Sequence, residues 1–400
     1  MNKIIPFILL FCFISGTFAT VLSSVSASEL IEDSWYSKTS MPSERKWFGV
    51  VVLDDKIYAI GGSKVYGSEH VGTNERYDPK TNMWITLSSI PTPRINFGVV
   101  TYQDKIYCIG GEVPYFGPIL VSQTVDAVEV YDPVNDLWST KASFPTKVSN
   151  PRVCVVNNQL FVITYDGKMY LYNPSNDTWS SKTSIPVSTT YPTVRVINGQ
   201  IFAICSSDAG WEMFMYNQLK NSWTKKANPY VLHGAFECIV VDNKILICDQ
   251  PMHVDNLPLN FRIYDPETDK WSEGQTATNL TKGYGLFVGA TYGVHAPKNG
   301  YVFGMEPVNI DTVQMFTWIY NPAEDVWLTA KPMPILLPGL NSVVAVDDIL
   351  YIIGECGTID QYVPIGYSTT PLSSEHVPLA SEHSTSKPFL AKPVMAVIVL

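Results

Sequence analysis

The chain has 400 residues, 46% of them hydrophobic and 16% charged, enough apolar content to bury a core and to exclude wholesale disorder. Lys and Arg number 27 against 37 Asp and Glu, a net charge of −10 with no long basic run, which argues against a nucleic-acid partner. Aromatic residues make up 12%, with 22 Tyr and 10 Trp, and helical periodicity is scarce, so the balance points to an all-β protein.

Residues 1–27 read as a secretory signal. Lys3 supplies the positive start, residues 4–14 form an apolar stretch broken by Pro6, and Val25-Ser26-Ala27 has the small-residue pattern of a cleavage site, with Thr17-Phe18-Ala19 as the second choice. The apolar stretch is much shorter than the roughly 20 residues that a membrane span requires, which favours cleavage over an uncleaved anchor.

Further along, a β-branched run, a polar pair and another apolar run recur as a unit. Residues 50–53, Asp54-Asp55 and residues 56–62 form the clearest instance, and residues 99–111 around Gln103-Asp104 repeat it. Asn157-Asn158, Asn198-Gly199, Asp242-Asn243 and Asp347-Asp348 mark four more hairpins, and Lys298-Asn299-Gly300 marks another with a longer loop. After each hairpin but the last comes Tyr, then Asp or Asn, usually Pro, and Trp seven places after the Tyr. The copies are Tyr77 with Trp84, Tyr131 with Trp138, Tyr172 with Trp179, Tyr216 with Trp223 (Gln218 replacing Pro), Tyr264 with Trp271, and Tyr320 with Trp327. The phrase is a β-turn between two strands: Asp or Asn caps its own backbone, Pro presets φ, and the flanking aromatics pack. Hairpin, Tyr strand and Trp strand make a four-stranded unit.

Residues 28–367 hold these units. Residues 368–388 are rich in Ser, Thr, Pro, Glu and His without apolar period, the composition of a flexible stalk. Residues 389–400 turn apolar, which fits either the start of a membrane anchor or a plain hydrophobic tail. Beyond the signal, Cys108, Cys154, Cys205, Cys238, Cys248 and Cys356 show no metal spacing and mostly sit in apolar strands. If Asp242-Asn243 is a two-residue turn, Glu237 opposes Cys248, so Cys238 and Cys248 face opposite sides of their sheet and buried thiols are expected.

At this point the chain resembles the kelch repeat family, on Ile57-Tyr58-Ala59-Ile60-Gly61-Gly62, Ile106-Tyr107-Cys108-Ile109-Gly110-Gly111 and the Tyr…Trp phrases, over about residues 34–365. The resemblance implies a β-propeller of four-stranded blades. Three central units, at Ile163-Thr164-Tyr165, Ile204-Cys205-Ser206 and Ile247-Cys248-Asp249, lack the double glycine, so their blades must turn differently. Trp35 has no hairpin before it, and the last hairpin has no Trp strand after it. The expectation is therefore a seven-bladed, all-β, kelch-type propeller closed by an N-terminal strand that completes the last blade.

Strand alternation puts two sets of loops on one rim: those between second and third strands, and those between blades. The first set varies in length and carries Tyr66, His70, Tyr115, Phe116, Trp211, Met252 and His253, suited to stacking on a sugar or packing on a partner, or to capping the core locally. Nine residues before the hairpin turns stand Arg45 and Arg94, with Val148, Thr189, His233 and Pro338 at the same offset elsewhere. The resemblance places this neighbourhood near the mouth of the central channel, where Arg45, Arg94 and His233 would grip an anionic group or else bond blade carbonyls. Asn176 and Asn279 head acceptor patterns for N-glycosylation. No cofactor or metal is implied: the histidines are scattered singly, which argues against a copper site. The leading reading is an exported or cell-surface recognition module, a monomeric propeller that binds a protein or glycan through its rim, with a C-terminal membrane tether as an option. The alternative is a cofactor-free sugar isomerase resembling the kelch-built sialic-acid mutarotases, with Glu237, His233 and Arg94 as candidates for its acid/base and carboxylate-binding groups.

Overall fold

A computed structural model describes residues 30–64, 69–116, 120–229, 236–249, 260–273, 284–309, 312–334, 340–354, 357–370 and 372. Seven four-stranded antiparallel sheets form the body of the fold. Blade I comprises Gly49–Leu53, Lys56–Ile60, Asn74–Asp78 and Met83–Leu87; blade II, Gly98–Tyr102, Lys105–Ile109, Val128–Asp132 and Leu137–Thr140. Blade III runs from Arg152 to Lys182, blade IV from Thr190 to Lys226, blade V from Phe236 to Glu273 and blade VI from Tyr284 to Ala330. Blade VII takes Leu340–Val346, Ile349–Gly354 and Ile359–Val363 from the end of the repeats, and its outer strand is Ser34–Ser37. Trp35 pairs with Tyr362, so the first described strand finishes the last sheet as the repeat arithmetic requires. The innermost strands of successive blades touch in cyclic order, including those of blades VII and I, and the ring is closed.

Each hairpin turn sits where its polar pair predicts. Both residues of Asp54-Asp55, Gln103-Asp104, Asn157-Asn158, Asn198-Gly199, Asp242-Asn243 and Asp347-Asp348 have positive φ, the mirror-image turn whose twist matches the flanking strands. The core lies between blades. Val51, Tyr58 and Ile60 of blade I, for example, pack with Val99, Ile106 and Cys108 of blade II. Cys238 lies in the cluster between blades IV and V and Cys248 in that between V and VI, with Glu237 opposite Cys248 as the turn implied. Cys108, Cys154 and Cys205 are buried free thiols, and burial pushes each up to about 12.

The glycine pairs have two reasons to be glycine. Gly61 and Gly62 have φ of 65° and 104°, and the Gly62 N–H donates to the Arg94 carbonyl of the next blade at 3.0 Å. A Cβ at Gly61 would stand 2.8 Å from that same oxygen. Gly111 repeats the bond to the Val148 carbonyl at 2.8 Å. Where the pair is missing, the chain does turn differently. Blade III closes through a short turn with Thr164 N–H on the Lys168 carbonyl, and blade IV runs eight-residue strands, Gln200–Ser207 and Gly210–Asn217, into a tight turn.

Candidate functional site

The rim is uneven because the loops between second and third strands differ from blade to blade. On blade I, Arg45–Lys46 pairs with Ser63–Lys64, Lys46 opposite Ser63, and Ser63 bridges to His70. Directly paired residues point to the same face, so Lys46, Ser63 and His70 form a row. On blade II a hairpin of Glu112–Phe116 and Leu120–Thr124 stands out from the sheet. Blade VI likewise extends Gly300–Asn309 and Thr312–Asn321.

Arg45 and Arg94 are both 0% exposed. Arg45 donates to the Gly61, Ser43 and Ala59 carbonyls at 2.9, 3.0 and 2.8 Å and ion-pairs with Glu75. Arg94 repeats the arrangement, donating to the Thr92 and Cys108 carbonyls at 3.2 and 3.0 Å and ion-pairing with Glu129. The hydroxyls of Ser43 and Thr92 complete each carboxylate at 2.6 and 2.8 Å. Burial pulls the Arg45 guanidinium below its ordinary range, against the pull of Glu75. Of the two roles that the offset left open, the geometry is that of struts bonding blade carbonyls. Each arginine is committed to its own blade rather than aimed at a shared ligand.

The polar groups that remain on the rim form a chain across blades I to III. The Ser149 hydroxyl and the Asn96 amide both donate to the Glu112 carboxylate, the latter at 3.4 Å. Asn150 N–H donates to the Asn96 carbonyl at 2.7 Å, and Arg152 reaches the Asn150 side chain at 3.4 Å and the Pro192 carbonyl at 3.1 Å. Burial lowers the His70 pKa, while the Glu112 carbonyl and carboxylate pull the other way, and its Nδ1 is buried without a partner. His70 thus ends the chain beside Glu112.

The other expected site residues that are described lie on different blades. Trp211 packs edge-on against Phe236 at 5.1 Å and belongs to the seam between blades IV and V. Tyr115 and Phe116 lie on the blade II hairpin, opposite Val121 and Leu120; their side chains are outside the description. His233, His253, Asn279, Tyr66 and Met252 lie outside the described residues, as does the Glu237 side chain. Asn176 is exposed in a turn on the face opposite the rim, and its amide oxygen accepts from the Thr178 hydroxyl at 2.7 Å. Among the described residues no three His, Cys, Asp or Glu side chains converge on a metal position, and no helix is long and apolar enough to cross a membrane.

Two features escaped the sequence reading. One is an Asp or Asn two places before each Trp: Asp33, Asn82, Asp136, Asp177, Asn221, Asp269 and Asp325, each of which accepts from the Tyr hydroxyl of its own blade at 2.7–3.0 Å. Aligning the repeats on Trp would have found it. The other is Arg152, which stands at an offset where no repeat partner calls attention to it.

Seven four-stranded blades around a closed ring define a seven-bladed β-propeller. Residues 45–91 and 93–145 match the family model described as the kelch motif. A stretch of 56 residues is 36% identical to Kelch-like protein 8 of Mus musculus, covering 14% of this chain and 9% of that relative's length. The solved structure titled "Structure of YjhT" superposes with a TM-score of 0.50 at 12% identity, over 74% of this chain and 99% of that one, a likeness of fold.

Proposed function

We propose that this chain is an exported or cell-surface recognition module that captures a protein or glycan through the loop rim. One observation carries the reading: the blades differ from one another at the rim, while their outer turns repeat. Loops on a rigid ring change without disturbing the core. The geometry of the ends supports it. Ser34–Ser37 enters and Ile359–Val363 leaves on the face opposite the rim, where Gly366 N–H donates to Glu32 at 2.5 Å. A signal at residues 1–27 and a stalk at 368–388, followed by an anchor, would present the rim outward. A glycan on Asn176 would project from the tethered face and leave the rim clear.

Capture of surface proteins and binding to a glycan array, by the parent and by a variant whose blade II hairpin (residues 113–123) is replaced with Gly-Gly, tests the reading. Binding lost with the fold intact supports it; binding retained by the shortened protein, and lost on change of the opposite face, sinks it. Turnover of a free acidic sugar would favour the isomerase reading instead.

A further inference from the structure

Non-glycine residues with positive φ are a selective group in this protein. Of the 21 among the described residues, 19 are Asp or Asn, whose short polar side chains tolerate that backbone, and a twentieth is Gln103 in a hairpin turn. The remaining one is Trp47, with φ 57°. Its equivalents two residues past the strut position in the next blades are Asn96, with φ 53°, and Asn150, with φ 54°. Both asparagines use their side chains, Asn96 on Glu112 and Asn150 on Arg152. Blade I therefore places a bulky aromatic where the backbone asks for Asn, and does so on the rim.

Packing does not account for it. Trp47 is 37% exposed, whereas the adjoining Phe48 is fully buried and carries the contact with the Arg45 guanidinium, 5.2 Å from its ring. Among the described residues nothing accepts from the Trp47 indole N–H. The Lys46 ammonium lies 4.2 Å from the Trp47 ring centroid and has no carboxylate partner among those residues. Strain retained at an exposed position points to a use for the side chain.

Building on the rim reading, we propose that Trp47 and Lys46 form a binding site for a carboxylate-bearing saccharide. The indole offers an apolar face for the C–H side of a sugar ring, and its N–H offers a donor to a hydroxyl. Lys46 already occupies the ring electrostatically, which disfavours a second cation and leaves an ammonium for a carboxylate. The proposed site rests on two adjacent side chains. That matches one sugar residue rather than the roughly 800 Å² per partner of a stable protein interface.

The test is calorimetric titration of the folded protein with glucuronate and with glucose, which differ at one carbon, together with thermal unfolding. The parent should prefer glucuronate. Trp47→Asn should bind glucuronate at least tenfold more weakly while its unfolding midpoint rises by about 2 °C or more as strain is relieved. Lys46→Gln should erase the preference for glucuronate over glucose. A parent without that preference overturns the ligand class. A Trp47→Asn protein with unchanged affinity, or a lowered midpoint, overturns the role of Trp47. A partner captured equally by parent and Trp47→Asn, but not by the protein with the shortened blade II hairpin, removes this site and leaves the rim reading standing.

Discussion

The outer turns and the loop rim follow opposite rules. At the outer turns of six of the seven blades, the Asp or Asn before the Trp takes a backbone N–H from the preceding blade, and the Trp indole donates to the carbonyl of that same residue; in blade VI the Trp327 indole N–H has no partner among the described residues. Ser88 is held this way, its N–H by Asp136 at 2.8 Å and its carbonyl by Trp138 at 2.7 Å. Thr39, Ala142, Thr183, Ala227 and Lys331 are gripped alike, the last by Asp33 and Trp35 from the start of the chain. Within each blade the Tyr and Trp rings sit 4.9–5.2 Å apart. Among the described residues of the rim no such unit recurs: blades I and II carry an arginine strut, blade III a short turn, blade IV a long hairpin. Repetition holds the ring together, and variation is gathered on the opposite rim.

The comparison breaks first at the struts, which are rim residues by position and structural by contact. Arg94→Ala leaves Glu129 buried without its cation, and should lower unfolding free energy by about 3–5 kcal/mol in denaturant titration, with Arg94→Met/Glu129→Leu recovering most of the loss. Near-parental stability in Arg94→Ala would return the arginine to the ligand side. Next comes the outer staple. Asp136→Ala strands the Tyr131 hydroxyl and the Ser88 N–H and should cost about 2–4 kcal/mol, whereas Asp136→Asn should cost under about 1 kcal/mol because Asn82 and Asn221 already serve in other blades.

A smaller effect sharpens the contrast between blade VII and blades I and II. Asp360 stands two residues before its Tyr, as Glu75 and Glu129 do, and is 2% exposed. It accepts from the Ser37 hydroxyl at 2.7 Å, and its other oxygen is unbonded. Burial raises its pKa above the unfolded value. The folded state therefore holds the proton more tightly, and this group lowers stability as pH rises from the unfolded carboxyl pKa through the raised one. Asp360→Asn should stabilise the protein at pH 7 and have less effect at pH 4, measured by thermal midpoint. The smallest effect is expected at Leu219, 99% exposed in an outer turn of blade IV: Leu219→Asp should shift stability by no more than about 0.5 kcal/mol and leave rim binding unchanged.

The repeating parts of this fold were legible because they rest on local rules. Polar pairs that accept positive φ mark the hairpins, and a Tyr–Trp spacing of seven marks the outer strands. The orphaned Trp35 was enough to foresee closure, since a sheet lacking one strand and a strand lacking one sheet must meet. Side-chain partnership was harder to read. Arg45 and Arg94 could be aligned by counting, but their mates Glu75 and Glu129 lie 30 and 35 residues on, and only the strand pairing brings them together. Trp47 looked ordinary in sequence because its peculiarity is a backbone angle.

Hydrogen exchange of the Lys331 amide tests the account most directly. Its acceptor, Asp33, lies 298 residues earlier, so the bond exists only if the ring is shut and stapled as in the other blades. The amide should exchange as slowly as those of Ser88 and Ala142, at the rate of global opening. Exchange at loop rates at Lys331, with Ser88 and Ala142 protected, would mean that the first strand does not complete the last blade.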